Sequence, residues 1–161
     1  TPFTISNVIS SYNNKSFNED EQFNKALSIA KEILTNTINY IDNQYKDEDR
    51  ARRFFDEQID QNYVVFDQYY NYGTLVKEEK YNHITHIIFP DKNLWRAIGL
   101  KNLKTQELKA PFPVEWGGLL DQQLTKISGI DGCVFCHKGL WYAVNETYAG
   151  IIEMVKQCQT I

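Results

Sequence analysis

Apolar residues recur at helical spacing along the chain after Asn18. Asn18 precedes a run of three acidic residues that ends at Glu21, which is the pattern of a helix N-terminus. One apolar stripe consists of Phe23, Leu27, Ala30, Leu34, Ile38, Ile41 and Tyr45, and a second consists of Ala26, Ile29, Ile33 and Tyr40. Because the two stripes lie side by side, the pattern predicts a long helix with a broad apolar face.

A second helix is predicted from Asp47 to Gln61, with Phe54 and Phe55 on its inner face. The polar joint between the two helices predicts an antiparallel pair. Residues 1–19 are rich in Asn and Ser and are interpreted as an N-terminal arm.

Short runs of β-branched and aromatic residues replace the helical pattern after residue 62 and predict five strands. The runs are residues 63–66, 84–89, 94–100, 133–137 and 140–144. Lys138 and Gly139 alone separate the last two runs, which is hairpin spacing. A short helix carrying Leu120, Leu124 and Ile127 on one face precedes this hairpin.

A final helix is expected to start at Asn145 or Thr147. The pattern therefore predicts an α+β fold, with a mixed sheet of about five strands packed by helices and an N-terminal helical pair.

Composition places the chain among intracellular globular domains. Its 161 residues suit a single domain, and the formal net charge of −4 gives no general attraction to nucleic acid or anionic membranes. Three cysteines, an odd number without framework spacing, fit a reducing compartment. No apolar stretch approaches the roughly 20 residues that span a bilayer.

The run from Cys133 to His137 reads C-x-x-C-H, which is the spacing of covalent haem attachment. Because the run is predicted to be a strand, residues three apart should point to opposite faces, and both thiols could not reach one haem ring. Buried strand cysteines are the favoured interpretation. His83 and His86 are likewise three apart, at the entry to a predicted strand, so a metal site is disfavoured there too.

His137, Lys138, Trp141, Asn145 and Thr147 remain as candidates for chemistry. A helix start beside a cationic lysine and a histidine can bind an anion. The simpler alternative is that Asn145 only caps the helix and Lys138 only forms the turn.

The C-terminal half of the chain resembles the MYG family, proteins formerly described as metal-dependent protein hydrolases. The resemblance is specific from Leu94 to Val155. It is carried by Trp95-Arg96, Pro111-x-Pro113, Glu115-Trp116, Gly118-Leu119, Asp121, Leu124, Ser128-Gly129-Ile130-x-Gly132-Cys133-x-Phe135-x-His137 and Asn145-x-Thr147.

The resemblance implies the C-terminal, substrate-side domain of a DHH-type phosphoesterase, joined to a metal-binding N-terminal half as its partner. It implies 3′–5′ RNA exonuclease activity with Mn²⁺ or Mg²⁺, located in the nucleus or mitochondria. The metal would be held outside this chain, which would then contain no catalytic residue or metal ligand of its own. We expect His137 to contact a phosphate or a transition-state charge, Trp141 to stack on the substrate or form a wall of the pocket, and Asn145 with Thr147 to present the helix start.

Four positions depart from the family pattern. Ala143 and Val144 stand where the family usually has paired glycines, and Gly117 stands where it usually has Arg. Lys109, a candidate substrate-binding residue, stands where the family tends to have Arg. Lysine keeps the positive charge of arginine but lacks its bidentate hydrogen-bonding geometry.

A non-catalytic protein-interaction module is the alternative function, with an aromatic-rich surface that includes Tyr69, Tyr70 and Tyr72. Homodimerisation is also left open by the sequence.

Overall fold

The computed structural model describes residues 4–13 and 18–158. The chain divides into two compact units, Thr1–Lys46 and Asp47–Ile161. The first contains α1 (Ile5–Ser10), and helix α2 (Glu19–Glu57) contributes residues to both. Among the described residues, no helix combines the length and the apolar composition needed to cross a bilayer.

Helix α2 begins where the sequence predicts, because the Asn18 side chain accepts a hydrogen bond from the Glu21 amide at 3.2 Å. The predicted break near Lys46 and the antiparallel pair are wrong, since α2 is continuous to Glu57. The segment contains no Gly or Pro, and an Asp42–Lys46 ion pair of 2.6 Å supports the helix at the joint. Polarity alone therefore does not end this helix.

The second unit contains the five-stranded mixed sheet, and the predicted α+β class is confirmed. The strands are β1 (Tyr63–Val65), β2 (His86–Asp91), β3 (Leu94–Gly99), β4 (Cys133–Cys136) and β5 (Tyr142–Asn145). Their order is β1-β2-β3-β5-β4, with β1 and β2 parallel and the other neighbours antiparallel. The order brings the last hairpin against the middle of the sheet.

Helices α3 (Asp121–Ser128) and α4 (Tyr148–Lys156) pack on one face of the sheet, which we call the helical face. The cluster on that face includes Ile88, Ala97, Phe112, Leu124, Ala143, Ile151 and Met154. Leu124 is the only buried member of the stripe predicted for α3, since Leu120 and Ile127 are more than half exposed. Gly129 ends α3 in a left-handed conformation, with a φ of 72°.

The opposite face of β1 and β2 is covered by the end of α2 and by two 3₁₀ turns, Leu75–Lys77 and Glu79–Tyr81. The core here includes Ala51, Phe55, Val64, Phe66, Tyr81, Ile87 and Phe89. This second cluster is centred on β1 and β2, and of the residues on β3 only Ile98 packs against it. The same face of β3, β5 and β4 therefore carries side chains that belong to neither core.

Candidate functional site

The loop joining β4 to β5 is wider than the predicted two-residue turn. The amide of His137 donates to the carbonyl of Tyr142 at 2.8 Å, and the amide of Leu140 donates to the carbonyl of His137 at 2.8 Å. Leu140 adopts a positive φ of 60°, and the Gly139 amide donates to His137 Nδ1 at 2.9 Å. Residues 138–141 therefore form the loop. Because Nδ1 accepts, the proton of the neutral imidazole lies on Nε2, which is then a donor.

Four rings beside this loop, which we together call the aromatic row, contact one another in a closed circuit: Phe135, His137, Trp141 and Tyr142. The centroids of His137 and Trp141 are 4.9 Å apart, and those of Trp141 and Tyr142 are 5.4 Å apart. Phe135 lies 6.2 Å from both His137 and Tyr142. Trp141 is 39% exposed, and the other three rings are partly exposed. The structure thus unites two predicted residues, His137 and Trp141, with two that were not predicted.

Arg96 extends the aromatic row onto β3. Its Nη1 donates to the hydroxyl of Tyr142, and its Nη2 lies 2.5 Å from a carboxylate oxygen of Asp91. These contacts, first the Tyr142 hydrogen bond, raise the pKa of Arg96, so the guanidinium stays charged. The sequence placed Arg96 in a family motif without giving it a role. Its proximity to Tyr142 depends on the pairing of β3 with β5, which the sequence pattern did not reveal.

Asn145 and Thr147 lie at the other end of β5 from the loop. Along β4, His137 follows the Cys136–Ala143 pair, whereas Asn145 pairs with Cys133, about 10 Å further along the sheet. The expectation that the helix start lies beside His137 and Lys138 is therefore wrong. A single phosphate cannot contact both the hairpin loop and the start of α4.

Asn145 is buried, and its side chain is fully occupied. Its amide nitrogen donates to the Asp131 carbonyl at 3.0 Å, while Oδ1 accepts from the amide and the hydroxyl of Thr147 at 2.8 and 3.1 Å. Thr147 in turn caps α4, because its Oγ1 accepts from the Gly150 amide at 3.0 Å. Asn145 therefore fixes the start of α4, and Thr147 is the exposed residue at that point.

Lys109 is directed away from the aromatic row. Its ammonium group donates to the carbonyls of Asn82 and Ile84, at 2.8 and 3.0 Å, in the segment before β2. Burial lowers the pKa of Lys109. The residue lines a cleft of about 290 Å³ together with His83 and Glu107. Lys109 thus joins two segments of the fold at a place separate from the hairpin.

The cysteines of the C-x-x-C-H run point to the same face, contrary to the prediction for a regular strand. A bulge between Cys133 and Phe135 shifts the register, so Cys133 and Cys136 both join the core on the helical face. Phe135 points to the opposite face with the aromatic row. Buried free thiols, the favoured interpretation, are confirmed for this pair.

No group of three or more His, Cys, Asp or Glu side chains within residues 4–13 and 18–158 is arranged to hold a metal ion. His83 and His86 diverge as expected: His83 is exposed and hydrogen-bonds the Ile59 carbonyl at 2.6 Å, whereas His86 is fully buried.

His86 is a buried polar residue that the sequence analysis did not predict. Thr85 Oγ1 donates to the Asn62 carbonyl at 2.8 Å and therefore accepts from His86 Nδ1 at 3.0 Å. His86 Nε2 is buried and has no hydrogen-bond partner among the described residues. Burial lowers the pKa of His86 to about 4, so the imidazole is neutral.

The tyrosines of the alternative interaction surface are mostly part of the core. Tyr70 is buried, and burial raises the pKa of Tyr72 to about 12. Tyr69 is exposed and packs its edge on Phe89. A larger cavity of about 700 Å³ lies in the first unit and contains no predicted site residue; its lining includes Ile9, Tyr12, Phe23, Ala26, Leu27 and Ala30.

Comparison with known proteins extends the sequence resemblance over most of the chain. The family described as "Uncharacterised protein family (UPF0160)", whose model is named for the MYG1 exonuclease, matches residues 1–158. A MYG1 protein of Caenorhabditis elegans is 28% identical over 171 residues, covering 94% of this chain and 49% of that protein. No solved structure matches the chain significantly.

Two shorter matches have higher identity. The MYG1 protein of Chlamydia pneumoniae is 47% identical over 60 residues, 36% of this chain and 21% of that protein. The MYG1 exonuclease of Rattus norvegicus is 32% identical over 75 residues, 45% of this chain and 20% of that protein. The matched region thus spans about half the length of these relatives or less.

Proposed function

Since the chain belongs to the MYG family, we propose that it forms the C-terminal, substrate-binding part of a metal-dependent phosphoesterase that degrades RNA from its 3′ end. The names of the rat and mouse relatives, MYG1 exonuclease, support the nuclease class. The aromatic row supports the proposal that this chain binds the substrate.

The aromatic row is suited to unpaired bases. Single-stranded nucleic acid is commonly bound on sheet faces where aromatic rings stack on splayed bases, and arginine adds a cation above the bases or at the phosphates. Trp141 offers the largest exposed ring. Arg96 contacts the Tyr142 hydroxyl, and Lys138 is an exposed residue of the loop that follows His137. Bases would stack on these rings, and the His137 Nε2–H group would donate to a phosphate.

The start of α4 would hold a different phosphate of the same strand. The first turn of a helix leaves backbone amides unpaired. Thr147 would present this turn by capping it, since its hydroxyl already donates to Asn145 Oδ1 and accepts from the Gly150 amide. Because this point and the hairpin are separated along β5, each would contact a separate nucleotide. Asn145 would act only by holding the start of α4 in place.

A divalent cation, Mn²⁺ or Mg²⁺, would activate the attacking water in the complete protein. The residues described here do not form a site for it. Its ligands would belong to the N-terminal half that the family resemblance implies, and this chain would contribute contacts to the substrate only. Nuclear or mitochondrial location is part of the same proposal, and imaging of the tagged full-length protein tests it.

The proposal is tested by binding of a fluorescent single-stranded RNA of about 12 nucleotides, a length within the range bound by such surfaces. We expect Trp141→Ala to weaken binding roughly tenfold, because one base–aromatic stack contributes about 1–3 kcal/mol. Trp141→Phe should restore much of the affinity, because it keeps a stacking ring. Fluorescence anisotropy measures both.

Tyr69→Ala is the matched control, because it removes an exposed ring outside the aromatic row. It should leave RNA affinity unchanged. Equal affinities for the wild type and Trp141→Ala would exclude the aromatic row as the binding surface. A protein-interaction module is less well supported, since Tyr69 alone of its three tyrosines is exposed.

A further inference from the structure

One face of α2 carries a narrow apolar stripe, here called the α2 seam. Its first three members line the cavity that also contains Ile9 and Tyr12, and the other members are left exposed by their own unit. The seam consists of Phe23, Leu27, Ala30, Leu34, Ile38, Ile41 and Tyr45. It runs over 23 residues, about 33 Å of helix. Phe23 is 66% exposed, Leu34 60% and Tyr45 68%. All seven residues belong to the first unit.

The exposed area of the α2 seam is too large for an ordinary monomer surface. Its six large side chains expose between 37% and 68% of their area. They amount to on the order of 700 Å² of apolar surface, above the few hundred Å² that monomers usually expose and close to the roughly 800 Å² per partner of a standard specific interface. The seam therefore has the area that a stable pairing surface needs.

The spacing of the α2 seam is the same in both directions along the helix. Successive members are 4, 3, 4, 4, 3 and 4 residues apart, with Leu34 at the centre. In an antiparallel pair of two copies, Phe23 would meet Tyr45, Leu27 would meet Ile41, and Leu34 would meet itself. Ala30 would meet Ile38, a small side chain against a large one. Each apolar residue finds an apolar partner on the other copy.

From this symmetry we infer that the occupant of the α2 seam is the seam of a second copy of this chain, packed antiparallel about a twofold axis through Leu34. Homodimers are most often built on such self-complementary surfaces. A parallel pair would instead place Ala30 against Ala30 and leave a gap. The mean spacing of about 3.67 residues is close to the helical repeat, so the two helices can stay in register with little supercoiling.

The first test is the oligomeric state of the full chain, measured by sedimentation over a concentration series. The wild type should be dimeric. Leu34→Lys places two like charges face to face at the twofold axis in an apolar interface and should raise the dimer dissociation constant about 100-fold or more. Circular dichroism of the variant verifies that α2 stays helical.

Asn36→Lys is the matched control, because it adds the same charge to an exposed position of α2 outside the seam. It should leave the dimer intact. A monomeric wild type would overturn the proposal. Equal dimer dissociation constants for Leu34→Lys and Asn36→Lys would overturn it as well.

The second test fixes the direction of pairing with a short bismaleimide in a Cys158→Ser background. Leu34→Cys should cross-link two copies, and Phe23→Cys alone should not. Phe23→Cys combined with Tyr45→Cys in one chain should again cross-link. Efficient self-linking through Phe23→Cys alone would indicate a parallel pair and reject the antiparallel one. Neither test involves RNA, so their outcome is independent of the proposed function.

Discussion

His86 illustrates how a single side chain can influence stability from within a core. It occupies the first position of β2, with the edge of its imidazole against the Phe112 ring at a centroid distance of 5.2 Å. The Thr85 hydroxyl contacts one ring nitrogen, and the other nitrogen is buried without a partner among the described residues. Protonation would place a charge in this apolar site, so the native state keeps the ring neutral.

Acidification should destabilise the fold through His86. The unfolded chain binds a proton below its ordinary pKa of about 6.5, whereas the native pKa is about 4. The unfolded state therefore holds more protons between these values, and the free energy of unfolding falls as pH decreases through that window. The loss attributable to His86 is on the order of 3 kcal/mol by pH 4.

Urea unfolding at pH 7 and pH 5 measures this effect. His86→Leu removes the titrating group and should unfold with a flatter pH dependence than the wild type. His83→Gln, at an exposed histidine, should keep the wild-type slope. Identical slopes for the wild type and His86→Leu would refute the assignment.

The sequence could not reveal the burial of His86, because β2 is apolar on both faces and shows no alternation. Trp141 and His137 could be selected from residue type alone. Arg96 and Phe135 could not be placed beside them, because their proximity is set by strand register and a bulge.

At the scale of elements, the packing of α4 against β5 depends on one glycine. A Cβ at Gly150 would overlap the Asn145 side chain, whose amide and carbonyl groups connect Asp131 with Thr147. The absence of a side chain at Gly150 lets the first turn of α4 approach the strand end closely.

Gly150→Ala should therefore lower the free energy of unfolding by about 1–3 kcal/mol, because the Asn145 network must shift to relieve the overlap. Thermal denaturation measures the change. Gly73→Ala is the control, since a Cβ there meets only the Asn71 side chain at an ordinary 3.6 Å, and it should be close to neutral. Equal stability of the two variants would show that the network adapts without cost.

Element types were predicted well because strands and helices differ in apolar period. The errors concern boundaries. The joint near Lys46 is polar, but it contains no helix-breaking residue. The hairpin loop is longer than the two-residue turn predicted from Lys138 and Gly139, because Leu140 adopts a left-handed conformation. Leucine rarely adopts that conformation, so the residue type gives no signal of it.

At the scale of the whole molecule, the proposed division of labour predicts that this chain alone is inactive. Incubated with Mn²⁺ and single-stranded RNA, the chain should bind RNA without cleaving it, because every metal ligand is proposed to lie in an N-terminal half outside this chain. Gel analysis of labelled RNA measures cleavage.

A protein that also contains the proposed metal-binding half should cleave the same RNA and lose activity when EDTA removes the metal. Robust metal-dependent cleavage by the isolated chain, sensitive to EDTA, would contradict the proposed division.

The bulge that separates Cys133 from Phe135 also affects how the protein responds to alkylating reagents. Both thiols of the C-x-x-C run face the interior, and burial raises the pKa of Cys136 to about 12. The protonated Cys136 sulfur is a poor nucleophile, and burial in the core shields Cys133 from the reagent. Iodoacetamide should therefore modify these positions only when the core opens. The alkylation rate of these two native cysteines then reports how often the core unfolds transiently.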